Sequence, residues 1–326
     1  MMQKIYPWST FFGLSLLAVT VMALLTSTVI EAWAYHSIGG VMSVIVFIGA
    51  GIAILNEGKQ IFHQAAPETN RVSAVLQGLS VVSGSLLAYA LSHDLSLGAV
   101  VAASLVAILA YLIAPSYSVP AYCGAFVGMT SNLLLFSYVE VGLAGLIAGI
   151  VYVLTRHVFN GIGGKLGTIA LIGTALTGMS LGREFLLLPI ADWETNTLII
   201  LTAMLGAPLT FFLNIHQKHG PVMASAFVGL IAGLILPNIF PEIGQTLSVV
   251  AICASFAGMT SGERCPAFWT MLITALFTGV VFVYSTPLLG GAGGKLGTIA
   301  FGAVLSSCGY ARLRQWVLGK QRLPKG

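Results

Sequence analysis

Residues 163–170 read GGKLGTIA, and the same eight letters return at residues 293–300. Aligning residues 121–170 with residues 251–300 without a gap superposes the two copies and gives 20 identical residues in 50 positions. The same alignment places CGAFVGMTS at the start of the first stretch over CASFAGMTS at the start of the second. Two separate blocks that keep one offset of 130 residues predict an internal duplication.

The composition predicts a membrane protein. Of the 326 residues, 57% are hydrophobic and 7% are charged, whereas soluble domains carry about 25% charged residues. Apolar runs of about 20 residues indicate transmembrane helices and exclude an outer-membrane barrel. The basic residues form no stripe that would bind nucleic acid, and the four cysteines show no spacing typical of a disulfide framework or a zinc site.

The apolar runs predict an all-α fold with twelve transmembrane helices in a 2 + 5 + 5 arrangement. Residues 1–57 hold two N-terminal helices, 73–182 form repeat 1, 196–310 form repeat 2, and 311–326 are a basic cytoplasmic tail. The predicted spans are 9–31, 38–55, 73–92, 96–114, 118–131, 132–154, 166–182, 196–215, 220–237, 245–260, 266–288 and 296–310. Because five is an odd number, the second repeat enters the membrane from the opposite face, and the repeats are inverted.

The positive charges favour this topology. With twelve spans and a cytoplasmic N-terminus, 12 lysines and arginines lie inside and 2 outside, as expected for a bacterial inner (plasma) membrane protein. If the segments 118–131 and 245–260 are re-entrant, ten spans remain and the division becomes 10 to 4. The twelve-span topology places both termini in the cytoplasm and puts Lys165 and Lys295 on opposite faces. The re-entrant alternative stays open.

The repeated phrase has the features of an anion-binding helix start. Consecutive glycines let the backbone turn sharply, and the helix that follows presents free N–H groups and a positive dipole end, to which the lysine adds a full charge. Lysine and glycine could instead form only a loop, with the lysine reaching towards the headgroups. The candidate substrate-binding residues are Gly163, Gly164, Lys165 and Thr168 in the first copy, and Gly293, Gly294, Lys295 and Thr298 in the second.

Three further features complete the candidate site. The GMTS blocks add Thr130, Ser131, Thr260 and Ser261, which line the site or simply pack the repeat interface. Glu140 lies inside a predicted span and is a candidate for proton coupling, although it could be a carboxylate near a helix end that is bonded to a neighbour.

These features predict a secondary transporter, or permease, for a small anionic or polar solute that binds between the inverted repeats. A channel-like facilitator and a non-transporting membrane subunit or scaffold are the alternatives. The sequence contains no motif of a known enzyme class, so we expect no catalysis, no cofactor and no metal. The expected partners are the solute and the lipid bilayer but not nucleic acid, and a homo-oligomer stays open.

Overall fold

The computed structural model describes residues 8–63, 71–265 and 267–319, and over these ranges the regular elements are helices. There are twelve α-helices in this described part, one for each predicted span, and seven of them are long and apolar enough to cross a membrane. They are α1 Trp8–Tyr35, α2 Ser37–His63, α3 Arg71–His93, α4 Ala99–Ile113, α5 Ser118–Gly128, α6 Tyr138–Thr155, α7 Lys165–Ser180, α8 Trp193–Phe211, α9 Pro221–Ile239, α10 Gly244–Gly258, α11 Phe268–Ser285 and α12 Lys295–Val317. Lys4, Lys320, Arg322 and Lys325, which supported the predicted topology, lie outside the described residues.

Seven of the described helices are long and apolar enough to cross a membrane, as expected for a polytopic membrane protein: α1, α2, α3, α6, α8, α9 and α11. A π-helical turn at 212–216 continues α8. The helices α4 and α10 are shorter apolar helices. At 1.5 Å per residue, the 11-residue α5 is only about 16 Å long. It therefore covers about half of a hydrocarbon core of roughly 30 Å.

Two sets of helices pack in the same way. In the first set α3 packs on α5 and α6, and α6 packs on α7; in the second set α8 packs on α10 and α11, and α11 packs on α12. The sets meet where α4 packs on α9 and α7 packs on α12, while the α1–α2 hairpin packs mainly on α12. Within the two sets each helix thus has a counterpart with equivalent partners, whereas the α1–α2 hairpin packs mainly on one set.

Glycines permit the closest of these contacts. A Cβ on Gly128 of α5 would lie 2.7 Å from the Ala88 side chain of α3, and one on Gly258 of α10 would lie 2.6 Å from Thr210 of α8. Small residues that let helix backbones approach are a common packing device in membranes. Gly128 and Gly258 also occupy matching positions in the 130-residue alignment.

The α1–α2 hairpin defines two ends of the molecule. We call the end with residues 35–37 the turn end, and the end with the start of α1 and the end of α2 the open end. The loop after α6 lies at the open end, where Phe159 N–H donates to Glu57 Oε1 at 2.9 Å. The end of α11 lies at the turn end, where the rings of Tyr284 and Tyr35 are 6.3 Å apart. About 20 residues of α2, or roughly 30 Å, separate these two levels.

Candidate functional site

Both GGK phrases form the same sharp turn into a helix. Gly164 has a φ of 82° and directly precedes α7, and Gly294 has a φ of 88° and directly precedes α12. Residues with a side chain rarely adopt this left-handed region, whereas glycine does so without steric cost. The helices therefore begin at Lys165 and Lys295, as the sequence indicated.

Each glycine loop is bound by the GMTS block of the other half. Gly163 N–H donates to Thr260 Oγ1 and Gly293 N–H donates to Thr130 Oγ1, both at 3.1 Å. Beside these bonds, Ser261 N–H donates to the carbonyl of Gly161, and Ser131 N–H donates to that of Gly291, both at 2.9 Å. The candidate residues of the two motifs are therefore brought together, but across the halves rather than within one half.

This exchange of partners explains why Gly163 and Gly293 must be glycine. A Cβ on Gly163 would lie 2.8 Å from Ala257 O, and a Cβ on Gly293 would lie 2.6 Å from Val127 O, at the C-terminal ends of α10 and α5. The positive ends of α7 and α12 thus start close to the negative ends of α10 and α5. Opposed dipole ends of this kind stabilise each other within a low-dielectric interior.

The two lysines make equivalent contacts. Lys165 Nζ donates to Thr155 O at 2.7 Å, and Lys295 Nζ donates to Thr286 O at 3.1 Å, so that each ammonium group reaches back to the end of the preceding helix. Lys165 also lies 3.5 Å from Asn160 Oδ1. An ammonium group has three donors, so each lysine keeps donor capacity for a ligand beside it.

The starts of α7 and α12 cross at a pair of glycines. A Cβ on Gly167 would overlap the Cα of Gly297 and lie 2.9 Å from its backbone nitrogen. Thr168 and Thr298, the next residues, are fully buried. Thr298 Oγ1 donates to Gly294 O at 3.3 Å, and Thr168 Oγ1 has no partner among the described residues. Both threonines lie at the crossing and not among the cavity-lining residues given below.

Two cavities flank this crossing. The first has a volume of about 200 Å³ and the second about 210 Å³. The open-end cavity is lined by Val119, Phe126, Tyr152, Arg156, Phe159–Leu166, Pro221, Val222, Phe256 and Met259. The turn-end cavity is lined by Ala99, Phe126, Met129, Leu188, Val249, Phe256, Phe282, Thr286, Gly290–Leu296 and Ile299. Most lining positions of one cavity match those of the other at the 130-residue offset, so the cavities are two versions of one site.

One pair of rings separates the cavities. Phe126 and Phe256 line both, their ring centroids are 4.4 Å apart, and each is only 1% exposed. These two phenylalanines occupy matching positions in the F-x-G-M-T-S blocks. Sequence analysis did not select them, although their identity in both copies was the available signal.

The surroundings of the two lysines differ in charge. Arg156 and Asn160 line the open-end cavity with Lys165, whereas Lys295 is the one charged side chain among the described residues that line the turn-end cavity. Burial lowers the pKa of His157, which follows Arg156, and the positive charges of Arg156 and Lys165 lower it further. Arg156 therefore gives the open-end cavity a second basic side chain that the turn-end cavity lacks.

The two carboxylates near the site are both ion-paired. Glu140, the coupling candidate, lies in the first turn of α6 and pairs with Arg183 at 2.7 Å. Glu57 of α2 pairs with Arg264 at 3.1 Å, and Arg264 Nε–H also donates to Asn160 O at 3.0 Å. Glu57 was missed because the predicted second span ended at residue 55. A role of Glu140 in coupling stays a prediction, and it would require the pair with Arg183 to open.

These features define the candidate site as two lysine-containing cavities on either side of an aromatic pair. Comparisons of the chain with protein-family models, with characterised proteins and with solved structures gave no match.

Proposed function

We propose that this protein is a secondary transporter that moves a small anionic solute between two inverted halves. The observation that carries the proposal is the pair of matching cavities, which lie towards opposite ends of the molecule and are closed from each other by Phe126 and Phe256. Transporters built from inverted repeats bind substrate at the repeat interface, beside interrupted helices and helix ends.

The path of the chain supports the inverted arrangement. The loop after α6 contacts Glu57 near the open end, and the end of α11 contacts Tyr35 at the turn end. The segment made of α5 and residues 129–137 begins near Val119, which lines the open-end cavity. It ends at the start of α6, where Glu140 pairs with Arg183. Five passages in each half then reverse the direction of the second half relative to the first.

The charges of the cavities support an anion as the substrate. Lysine and arginine line them, and their described lining residues include neither aspartate nor glutamate. The starts of α7 and α12 add positive dipole ends to the same places. A volume of about 200 Å³ corresponds to about seven water molecules at ~30 Å³ each. This volume fits an inorganic anion or a small carboxylate.

The closed aromatic pair favours a transporter over an open channel. In the described conformation neither cavity continues into the other, because two nearly fully buried rings fill the space between them. We propose that the halves rock against each other around the Gly167–Gly297 crossing, so that one cavity opens as the other closes. A channel-like facilitator built on the same cavities would need the rings alone to move.

The distribution of charge orients the protein. Lys59, Arg156, Lys165 and Arg264 lie towards the open end, whereas Glu184, Asp192 and Glu194 lie towards the turn end. Since cytoplasmic loops are enriched in lysine and arginine, we place the open end in the cytoplasm. Labelling Asn160→Cys and Pro287→Cys from one side of sealed vesicles tests the orientation. Reaction of both cysteines from the same side would contradict the inverted arrangement.

The transport experiment uses purified protein in proteoliposomes. A panel of radiolabelled small anions, including inorganic anions and mono- and dicarboxylates, is added outside with and without a proton gradient, and a quaternary ammonium cation serves as control. We expect saturable uptake of at least one anion and no uptake of the cation. Uptake that does not saturate would favour the channel, and exclusion of every anion would leave the scaffold alternative.

A further inference from the structure

The block that binds each glycine loop is itself held by a different side chain in each half. At the end of α3, the His93 ring contacts Thr130 O through Nε2 at 3.1 Å. At the end of α8, Asn214 Nδ2 contacts Thr260 O at 3.4 Å and Gly258 O at 3.3 Å. Because a carbonyl oxygen only accepts, Nε2 of His93 must carry the proton. The same task is thus done by a titratable group in one half and by an amide in the other.

Two hydrogen bonds connect His93 to the turn-end cavity. His93 binds the carbonyl of Thr130, and Oγ1 of the same threonine accepts Gly293 N–H at 3.1 Å. Gly293 and Lys295 both line the turn-end cavity. The equivalent connection at the open end runs from Asn214 through Thr260 to Gly163. A change in the charge of His93 therefore acts on one cavity only.

Several titratable groups lie near His93. His93 packs on the Tyr89 ring of α3, at a centroid distance of 4.4 Å, and Asp94 follows it directly in the chain. On α6 there are Tyr138, which donates a hydrogen bond to Asp94, and Glu140, which pairs with Arg183 from the end of α7. The described helices α4 and α5, which also pack on α3, contain no charged residue.

The C-terminal ends of two helices also meet at His93. His93 is the last residue of α3, and Thr130 follows the end of α5, so that the negative ends of two helix dipoles meet at the ring. A hydrogen bond from a charged donor is roughly twice as strong as a neutral one. Partial exposure of His93 lets a proton reach it from the turn end.

We propose that His93 is the proton-binding residue of the transport cycle, and that its protonation fastens the GMTS block of α5 to the glycine loop of the turn-end cavity. Histidine is the side chain whose ordinary titration falls between pH 5 and 8. A proton taken up at the turn end thus strengthens the described contact between the GMTS block and this glycine loop, whereas the Asn214 half is indifferent to pH. The role in transport rests on the proposed function, but the pH response of the loop does not.

The loop response is measured by hydrogen–deuterium exchange of the intact protein in lipid nanodiscs at pH 5.5 and 7.5, corrected for intrinsic rates. We expect residues 289–294 to be protected about threefold or more at pH 5.5, because the charged donor is the stronger one. Residues 159–164 should show no such change. In His93→Gln, whose amide nitrogen reaches as far as Nε2 does, the response of 289–294 should disappear.

Two further variants make the comparison strict. Asn214→His should give residues 159–164 a pH response that the parent lacks, and His216→Gln, a histidine substitution at the end of α8 away from Thr130, should change nothing in residues 289–294. An unchanged response in His93→Gln, or no response in the parent, would overturn the proposal.

The link to transport is measured in the proteoliposomes described above, with the protein inserted so that its turn end faces the outside. The substrate is the anion that the parent protein takes up. We expect a proton gradient to stimulate uptake by the parent and not by His93→Gln. If the loop responds to pH but no anion moves, the proposed function fails and the proton site stands. If anions move and His93→Gln keeps the full stimulation, the proton site fails and the proposed function stands.

Discussion

The two loops that carry the GGK phrase follow the same backbone course and are anchored in different ways. The loop 156–164 at the open end is fastened by charged side chains, whereas the loop 286–294 at the turn end is fastened mainly by backbone groups. In the first, Glu57 accepts from Phe159 N–H and pairs with Arg264. In the second, Leu186 N–H donates to Gly290 O at 3.0 Å.

This difference separates the features that the two matched stretches share from those in which they differ. The helix start, the threonine that binds it and the cysteines that donate to Leu166 O and Leu296 O are shared by both halves. The anchors come from segments outside the matched stretch or from positions where it diverged, as at Arg264. The shared elements hold both helix starts in the same geometry, whereas the anchors differ between the two loops.

The largest effect is expected where the halves touch. Gly167→Ala places a Cβ on the backbone of Gly297, which no rotamer change can relieve. Such overpacking costs about 3 kcal/mol or more, and we expect little folded protein by size-exclusion chromatography in detergent. Gly178→Ala, on the same helix, meets its nearest atom at 3.7 Å and should be slightly stabilising, because alanine favours helix. Equal yields of the two variants would show that the crossing is not a fixed contact.

The next effect concerns the barrier between the cavities. Removing both rings with Phe126→Ala and Phe256→Ala should join the cavities, so that a trapped small anion leaks from proteoliposomes faster than the parent transports it. Each substitution costs about 3–5 kcal/mol of stability, so Phe126→Leu with Phe256→Leu provides a milder pair. Phe211→Ala is the matched control, since Phe211 is 2% exposed and lines neither cavity. Tight vesicles from a folded double variant would disprove the barrier.

The lysines sharpen the comparison further. Lys165→Gln and Lys295→Gln each remove a charge-assisted hydrogen bond worth about 1.5–3 kcal/mol, which weakens anion affinity roughly tenfold or more. Lys295→Gln should have the larger effect, because Arg156 still lines the cavity of Lys165. Uptake measured from each face should assign each variant to its own side. Normal uptake by both variants at normal abundance would reduce the lysines to helix-end contacts.

The sequence predicted the helix starts better than the helix ends. Consecutive glycines before a lysine specify a left-handed turn, so α7 and α12 begin within one residue of the predicted positions. The predicted spans 118–131 and 132–154 misplaced the end of α5 and the start of α6. Residues 129–137 leave the helix because Thr130 Oγ1 turns back to Val127 O at 2.6 Å and Ser137 caps the next helix. Apolar composition does not reveal such an interruption.

The pairing of the motifs could not be predicted from either copy alone. A duplication requires that both copies adopt similar structures, but it does not say whether Thr130 binds the glycine loop of its own half or that of the other. That choice depends on the crossing of α7 and α12, which only the packed structure provides. The partners of Glu57 and His93 could not be predicted either, because they lie 207 and 37 residues away in the sequence.

Breaking the charged anchor tests the difference between the loops directly. Glu57→Gln and Arg264→Gln, alone and combined, form a double-mutant cycle whose coupling energy we expect to be about 1–2 kcal/mol, as for neighbours in one network. Exchange of residues 159–164 should increase in each single variant, while that of residues 289–294 stays constant. The pair Glu140–Arg183 is the control, because it joins α6 to α7 and contacts neither loop. An additive cycle would show that the anchor contributes no specific coupling.

The smallest effect concerns the starts of α6 and α11, which occupy equivalent places in the two halves. Ser137 caps α6 by accepting Glu140 N–H at 3.3 Å, whereas Ala267 precedes α11 without a side-chain cap. Ser137→Ala should therefore destabilise the protein by about 1 kcal/mol, the usual worth of such a cap.

Ala267 has an extended backbone, with φ −129° and ψ 136°, which is the conformation that a capping residue needs. Ala267→Ser should accordingly stabilise by at most about 0.5 kcal/mol, because Thr270 N–H already donates to Ala267 O at 3.0 Å and the new hydroxyl would share that donor. Thermal unfolding in detergent measures both changes, and the double variant should lie close to the parent because the two sites share no contact. A loss of stability with Ala267→Ser would mean that the second half cannot accept the cap of the first, and that the two helix starts differ in more than one side chain.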